Sequence, residues 1–375
     1  FPYLATYGTN SSYNYLINGS KPVIVKAPGL VAPDFTWETV TQMDFGFDAS
    51  FLNNRLTGTF DWYRRNTKDM LVAGATLPAT LGASVPKSNS ADMKTIGWEL
   101  SLGWNDRLEN GFSYWVKGVL SDYQATITKY AGNDAGFYSQ SDDDGKYYVG
   151  QKIGEIWGYH SNGLFQSDDE AATIDQSELY AGKWGAGDVK YEDLDNDGKI
   201  TKGEETIYNP GDKSIIGNKT PRYQFGITVG FDYKNFDFEM FWQGTGKRDY
   251  MLSGAQFWGF TSQWDVPYTP ALDYWTETNT DAYFPRPGWQ NGGNRVTSDR
   301  YLQSAAYGRL KNLTVGYTIP KNLTTKWGIS RLRLYVTGEN LLTITPLNDA
   351  FDPETLGGMT YPINRKVAIG LNLTL

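Results

Sequence analysis

The sequence has 375 residues, a formal net charge of −8 and only 34 Lys and Arg, which argues against the clustered basic surface that nucleic-acid phosphates demand. It has no cysteine, which excludes a disulfide framework, a thiol nucleophile and a zinc–thiolate site, and it has no apolar run of the roughly 18 residues that a membrane-spanning helix needs. Aromatic residues make up 15%, with 13 Trp and 26 Tyr, a load suited to extracellular ligand binding or to girdles at a membrane interface.

The opening "FPYLATYGTNSSYNY" has no basic n-region and no apolar h-region, so no signal peptide is read there, and the start is expected to lie inside a longer polypeptide. The first strong element is "QMDFGFDASF". Met43, Phe45, Phe47, Ala49 and Phe51 alternate with Gln42, Asp44, Gly46, Asp48 and Ser50. Period two of this kind is a strand with one apolar and one wet face. The short connection "LNNRL" near Asn53 leads into a second strand, and residues 72–94 are expected to form a long loop. "IGWELSLGW" then sets Ile96, Trp98, Leu100, Leu102 and Trp104 against Gly97, Glu99, Ser101 and Gly103. A short turn, "NDRLENG" from Asn105, precedes the next strand, and residues 129–221 are expected to form the longest loop.

Beyond it, "RYQFGITVGFDY" places Tyr223, Phe225, Ile227, Val229, Phe231 and Tyr233 on one face, with Arg222, Gln224, Gly226, Thr228, Gly230 and Asp232 on the other. The turn "YKN" joins it to "NFDFEMFWQG", where Phe236, Phe238, Met240 and Trp242 alternate with polar residues. Residues 249–301 form another long loop, "IPKNLTTKWGIS" another short connection and residues 345–363 a last long loop. The final strand "KVAIGLNLTL" sets Val367, Ile369, Leu371, Leu373 and Leu375 against Lys366, Ala368, Gly370, Asn372 and Thr374.

About nine strands are expected, joined by connections that alternate short and long. Short turns at one rim and long loops at the other define an all-β transmembrane antiparallel barrel of the outer-membrane kind, with extracellular loops and a periplasmic C-terminus. Alternation alone also fits a soluble sandwich whose apolar faces form a core, so a secreted, calcium-braced β-rich binding module stays open as the alternative. About nine strands cannot close a wide barrel, so the chain is expected to pair with another chain or to be the C-terminal part of a longer one. Glycines inside strands, Gly46, Gly97, Gly230 and Gly370 among them, fit a curved wall.

Within the longest loop, "DLDNDGKITKGE" (193–204) carries a full calcium-loop pattern. Asp193, Asp195 and Asp197 take positions one, three and five, and Gly198 takes the sharp turn. Lys199 offers a carbonyl, Thr201 a hydroxyl or water, Glu204 both carboxylate oxygens, and Ile200 anchors the loop. Hard oxygen donors favour Ca²⁺. The flanks, "GKWGAGDVKY" and "ETIYNPGDKS", show no helical period, so the ion is expected to brace a loop rather than to work as a switch. A second acidic run, "SDDDGKYY" from Ser141, reads as a hairpin turn at Asp144-Gly145 with a weaker claim to a cation. His160 is the only histidine and is read as an ordinary loop residue.

Asp61, Glu99, Asp232, Asp237, Glu239, Arg331, Arg333 and Glu339 fall on lumen-facing parity. Polar residues belong in a lumen and no two of these carboxylates share a site by sequence, so no catalysis is expected. Trp157, Tyr159, Trp264, Tyr274, Trp275 and Trp289 are the loop aromatics placed to meet substrate or a partner, or else to pack loops together.

These blocks resemble a known family. "DFTWETVTQMDFGFDASFLNNRLTGTFDWYRRNTKDML" from Asp34, "GEIWGYHSNGLFQSDDE" from Gly154, "GDVKYEDLDNDGKIT" from Gly187, "SAAYGRLKNLTVGYTIP" from Ser304, "LRLYVTGENLLTIT" from Leu332 and "YPINRKVAIGLNLTL" from Tyr361 are similar, in that order, to the barrel of SusC/RagA-type TonB-dependent transporters of Bacteroidota. The resemblance spans nearly the whole chain and covers the family's C-terminal barrel strands, with the plug and N-terminal domain outside it. Leu375 departs from the aromatic residue on which the family usually ends. The resemblance implies a nutrient importer with about 22 strands, energised through TonB–ExbB–ExbD and the N-terminal part. It also implies a SusD-like surface lipoprotein over the loops and an oligosaccharide or peptide as substrate.

Overall fold

The structure, a computed structural model, describes residues 4, 6–10, 16–17, 19–21, 23–26, 28–32, 35–73, 78, 80, 85–138, 147–356 and 361–375. Nine long strands dominate it: β1 (Thr39–Phe51), β2 (Leu56–Ala73), β3 (Lys87–Arg107), β4 (Ser113–Tyr130), β5 (Arg222–Tyr233), β6 (Phe236–Lys247), β7 (Tyr307–Thr318), β8 (Arg331–Ile344) and β9 (Lys366–Thr374). They form one antiparallel sheet in sequential order from β1 to β9, each strand paired with its chain neighbour. Among the described residues the sheet does not close, and β1 and β9 each keep an unpaired edge.

The alternation in the sequence decides which side chains share a face. On one face Phe45 lies opposite Trp62, Trp62 opposite Trp98, Leu100 opposite Leu120 and Val229 opposite Met240. On the other Asp61 lies opposite Glu99, Glu99 opposite Ser121, Asp232 opposite Asp237 and Thr314 opposite Thr337. Among the described residues nothing covers the apolar face: Phe45 is 66% exposed and Ile369 83%. A sandwich would bury these side chains against a second sheet. The large buried cluster lies instead in the loops, where Tyr191, Ile200, Leu252, Phe257 and Tyr301 are almost wholly enclosed.

Near the short-turn rim the rings gather. Phe112 stacks on Phe231 with centroids 5.4 Å apart, Phe231 on Phe238 at 5.1 Å, and the Trp104 indole N–H donates to the Tyr114 hydroxyl at 3.1 Å. On the polar face, Gly97 and Gly230 lie under the Tyr63 and Trp115 rings, which take the space a Cβ would need.

Short connections span 52–55, 108–112, 234–235 and 319–330. Long ones span 74–86, 131–221, 248–306 and 345–365. The first long loop is shorter than the expected 72–94, because β2 and β3 run on past the wall to Ala73 and from Lys87. That extension crosses register shifts around Asp69, whose φ is +57°. An irregular insertion inside a strand breaks period two and hides its continuation.

Candidate functional site

The long loops are held to each other by short strand pairs and buried charge. Glu155–Tyr159 pairs with Lys213–Asn218, Ser161–Leu164 with Val189–Tyr191, and Asp249–Met251 with Leu302–Ser304. Asp188, fully enclosed, joins loop 131–221 to loop 248–306. Its Oδ1 accepts from Arg286 Nε at 2.9 Å and Asn294 Nδ2 at 2.8 Å, and its Oδ2 from Arg286 Nη2 at 2.6 Å and Gly185 N–H at 2.9 Å. Arg309, buried at the end of β7, donates to Thr343 Oγ1 at 2.9 Å and to Asp352 Oδ2 at 2.6 Å, tying loop 345–365 to the wall.

The acidic stretch 193–204 lies between the strands Val189–Tyr191 and Lys213–Asn218, with no helix beside it. Carboxylate oxygens of Asp193, Asp195 and Asp197 converge to within 4.8 Å of one another. The turn is held by N–H groups of Asp197 and Gly198 donating to Asp193, the latter at 2.8 Å, and Gly198 sits at φ +84°, where a side chain is strained. Loss of solvent pushes the Asp193 carboxyl up, but N–H groups of Gly198, Asp197 and Asn196 outweigh it and leave it below the usual range. Asp195 is raised, by the same loss of solvent and by the Asp197 carboxylate beside it.

Ile200 is buried in the loop core, and its N–H donates to the Asp175 carbonyl at 2.7 Å. Lys199 meets Asp175 in a parallel bridge, and the Thr201 N–H donates to Asp212. Glu204 stands apart from the three carboxylates, exposed, with its N–H donating to the Asn209 carbonyl. A residue that spacing did not single out holds the loop from beneath. The buried Asp212 accepts from Leu194 N–H at 2.8 Å and Thr201 N–H at 2.7 Å, clamping both ends of the turn. The turn expected at Asp144-Gly145 lies outside the described residues.

The loop aromatics divide. Trp157 and Tyr159 are buried; Trp157 stacks on Tyr138 with centroids 4.2 Å apart, and Tyr159 packs on Tyr191. Tyr274 and Trp275 are half-buried against the loop core, with the Trp275 ring over Gly187. Trp264, 83% exposed, and Trp289, 47% exposed, are the two that present rings to solvent. Lys213 is buried between the Tyr138 and Tyr159 rings, 5.8 and 5.4 Å from their centroids, with Glu205 Oε1 3.1 Å from its Nζ.

His160 has partners that the sequence could not reveal. Nδ1 lies 2.8 Å from Asp299 Oδ2 and Nε2 lies 2.7 Å from Ser214 Oγ, while Asp299 Oδ1 accepts from Ser161 N–H at 2.9 Å. The imidazole ties loop 131–221 to loop 248–306, and Ser214 itself belongs to a paired strand. On the polar face of the sheet, Asp61 and Glu99 meet as cross-strand neighbours, contrary to the reading that no two carboxylates share a site. They line a hollow of about 320 Å³ with Thr59, Ser101, Ser121 and Gln224. Asp237 pairs with Arg333 at 2.8 Å.

Residues 2–341 match the family model described as TonB dependent receptor-like, beta-barrel. TonB-dependent receptor P3 of Formosa agariphila is 29% identical over 408 aligned positions, covering 99% of this chain and 38% of the relative. TonB-dependent receptor SusC of Bacteroides thetaiotaomicron is 25% identical over 380 positions, covering all of this chain and 35% of the relative. The chain therefore spans less than two-fifths of the length of these relatives. Its fold is that of the solved RagAB peptide transporter, with a TM-score of 0.75 at 21% identity over 100% of this chain and 39% of that one.

Proposed function

Because the chain belongs to the TonB dependent receptor-like β-barrel family, we propose that it forms part of the wall of an outer-membrane nutrient importer of the SusC/RagA type. The observation that carries this reading is the bare apolar face of the nine-stranded sheet, backed by a polar face. Lipid is the solvent that such a face takes, and the polar face then lines the lumen. The open edges of β1 and β9 would cost several kcal/mol for each unpaired group in lipid, so the wall closes with further strands.

On this reading the long loops face outward and the C-terminus faces the periplasm. TonB–ExbB–ExbD supply energy through an N-terminal part outside these residues. A SusD-like lipoprotein covers the loops, and an oligosaccharide or a peptide is taken up. The exposed Trp264 and Trp289 suit contact with either the lid or the substrate. Peptide uptake by the RagAB transporter supports the peptide option.

We also propose that 193–204 holds one structural Ca²⁺ through Asp193, Asp195 and Asp197, with the Lys199 carbonyl and the Thr201 hydroxyl completing the loop. The convergence of three carboxylates in a preformed turn supports it. The donor set differs from the motif in one respect: Glu204 stands outside the cluster and would have to swing in to chelate. The ion braces the loop and takes no part in transport chemistry.

The test of the importer is an intact-mass inventory of the particle extracted in mild detergent. Further barrel strands, whether in the same polypeptide or in a companion, together with a surface lipoprotein, support the importer. A 42.1 kDa chain that is alone and stays soluble once detergent is removed would replace it with a calcium-braced binding module.

A further inference from the structure

Just beyond the apolar band, at the long-loop ends of β2 and β3, the apolar face changes character. Along β2 it runs Phe60, Trp62, Arg64, Asn66, Lys68, and along β3 it runs Leu100, Trp98, Ile96, Lys94. Register fixes these positions. Arg64 lies opposite Met43 and Ile96, Asn66 opposite Thr41 and Lys94, Lys68 opposite Thr39, and Lys94 opposite Thr126. No register shift separates Arg64 or Lys68 from Phe60 in the β1–β2 pair, or Lys94 from Trp98 in the β3–β4 pair.

All three cations therefore share the face that carries Phe45, Trp62 and Trp98. Arg64 and Lys68 stand about 13 Å apart along β2, and Lys94 sits between them about 5 Å across. Among the described residues none of the three has a carboxylate within ion-pair distance. Arg64 Nε reaches only the Asn66 amide oxygen at 3.3 Å. Asp92, two residues from Lys94, accepts at Oδ1 from Asp69 N–H, and Glu38, next to Thr39, accepts at Oε1 from Leu71 N–H. On the polar face of the same strand, Arg65 donates to the Gln42 amide oxygen at 3.2 Å.

Three cations without a carboxylate partner stand above a Trp62–Trp98 pair, while Asp122, opposite Trp98 on the same face, is taken by Arg222; this is the depth where headgroups lie. We propose that Arg64, Lys68 and Lys94 form an outward-facing site for the phosphate groups of anionic lipid in the leaflet around the long-loop rim, with Asn66, Thr39, Thr41 and Thr126 as hydrogen-bonding neighbours. The site rests on the membrane reading above. Its role is to hold a shell of lipid against this sector of the wall and to fix the wall's depth.

The test uses the full-length transporter in mild detergent, with lipid adducts counted by native mass spectrometry during titration with bisphosphorylated lipid A. R64Q/K68Q/K94Q is compared with wild type, with each single variant, and with R65Q/K117Q, which removes two cations from the opposite face of β2 and β4. Each outward charge removed is expected to weaken binding about fivefold, and the triple variant on the order of a hundredfold. The inner-face variant is expected to bind as wild type, and monophosphorylated lipid A more weakly than the bisphosphorylated form. A triple variant that binds like wild type overturns the site. So does displacement of the lipid by inorganic phosphate at equal concentration, which would mark a site for free anions. Either failure leaves the protein detergent-dependent, so it is distinguishable from failure of the membrane reading, in which no detergent is needed.

Discussion

Replacing Asp188 with Asn tests whether buried charge holds two long loops together. The change keeps the shape and removes one acceptor oxygen. Each carboxylate oxygen now receives two donors, Arg286 Nε and Asn294 Nδ2 on one and Arg286 Nη2 and Gly185 N–H on the other. Whichever oxygen becomes the amide NH₂, two donors lose their partner and face another donor. Hydrogen bonds to a charged group contribute about 1.5–3 kcal/mol each, so the gross loss is about 3–6 kcal/mol. Arg286 is 40% exposed and recovers part of this from water, which leaves about 2–4 kcal/mol. At 1.4 kcal/mol per tenfold, the local opening equilibrium rises by roughly 30- to 700-fold.

The amides that report it lie at this junction, two of them within loop 131–221 and two crossing to loop 248–306. Phe165 N–H donates to the Asp188 carbonyl, Gly187 N–H to Phe165, Arg286 N–H to Gly187, and Val189 N–H to Asn294 Oδ1. Hydrogen exchange at these four amides should accelerate together, while amides of β5 and β6 keep their wild-type rates. Exchange at the four that stays within about threefold of wild type would show that packing alone holds the loops, and the argument from Asp188 would be wrong.

Valine at Gly230 forces a side chain into the Trp115 ring and should destabilise the wall by about 1–3 kcal/mol, lowering the folded fraction in a heat-shift gel; Trp115→Ala in the same chain should restore it. Asp193→Asn with Asp195→Asn should abolish the calcium-dependent rise in melting temperature and in protease resistance of loop 131–221, and unchanged values with and without chelator would remove the ion from the account. Glu204→Gln should weaken calcium binding by calorimetry less than Asp193→Asn does, since Glu204 lies outside the carboxylate cluster. The Lys183 ammonium, followed by the Ala186 N–H, holds the Asp168 carboxyl below its usual range. A depressed carboxylate stabilises above the ordinary Asp pKa of about 4 and loses that contribution as pH falls through the lowered value, so Ala186 protection should persist at pH 5 and be lost only as the pH drops below the ordinary Asp range.

Much of the wall is visible in the sequence because a sheet between lipid and water writes period two into every strand. Arg222–Tyr233 needs no more than that to be placed, and its register with β4 and β6 follows. The signal fails where geometry departs from the period. Asp69 and the shifts beside it conceal the upper ends of β2 and β3, and there Lys94 reads as a loop residue although it belongs to the outward face.

The loop chemistry divides along the same line. Asp193, Asp195 and Asp197 lie within five residues and could be assigned from spacing, as could the buried anchor Ile200. Ser214 and Asp299 lie 54 and 139 residues from His160, and Arg286 lies 98 from Asp188, so no local pattern announces those contacts. The same distance explains the aromatics. Nothing in the neighbourhood of Trp157 says that Tyr138 covers it, whereas Trp264 has no such neighbour among the described residues and is 83% exposed.

The central claim is that one face of this sheet meets lipid and the other water. These 375 residues contain no cysteine, so single cysteines can be placed in turn at 225–231 of β5 in the full-length protein in its membrane. Each is given a fluorophore and challenged with brominated lipid and with a water-soluble quencher. The account predicts lipid quenching at 225, 227, 229 and 231 and aqueous quenching at 226, 228 and 230. Aqueous quenching throughout, or no lipid quenching at the odd positions, would contradict it.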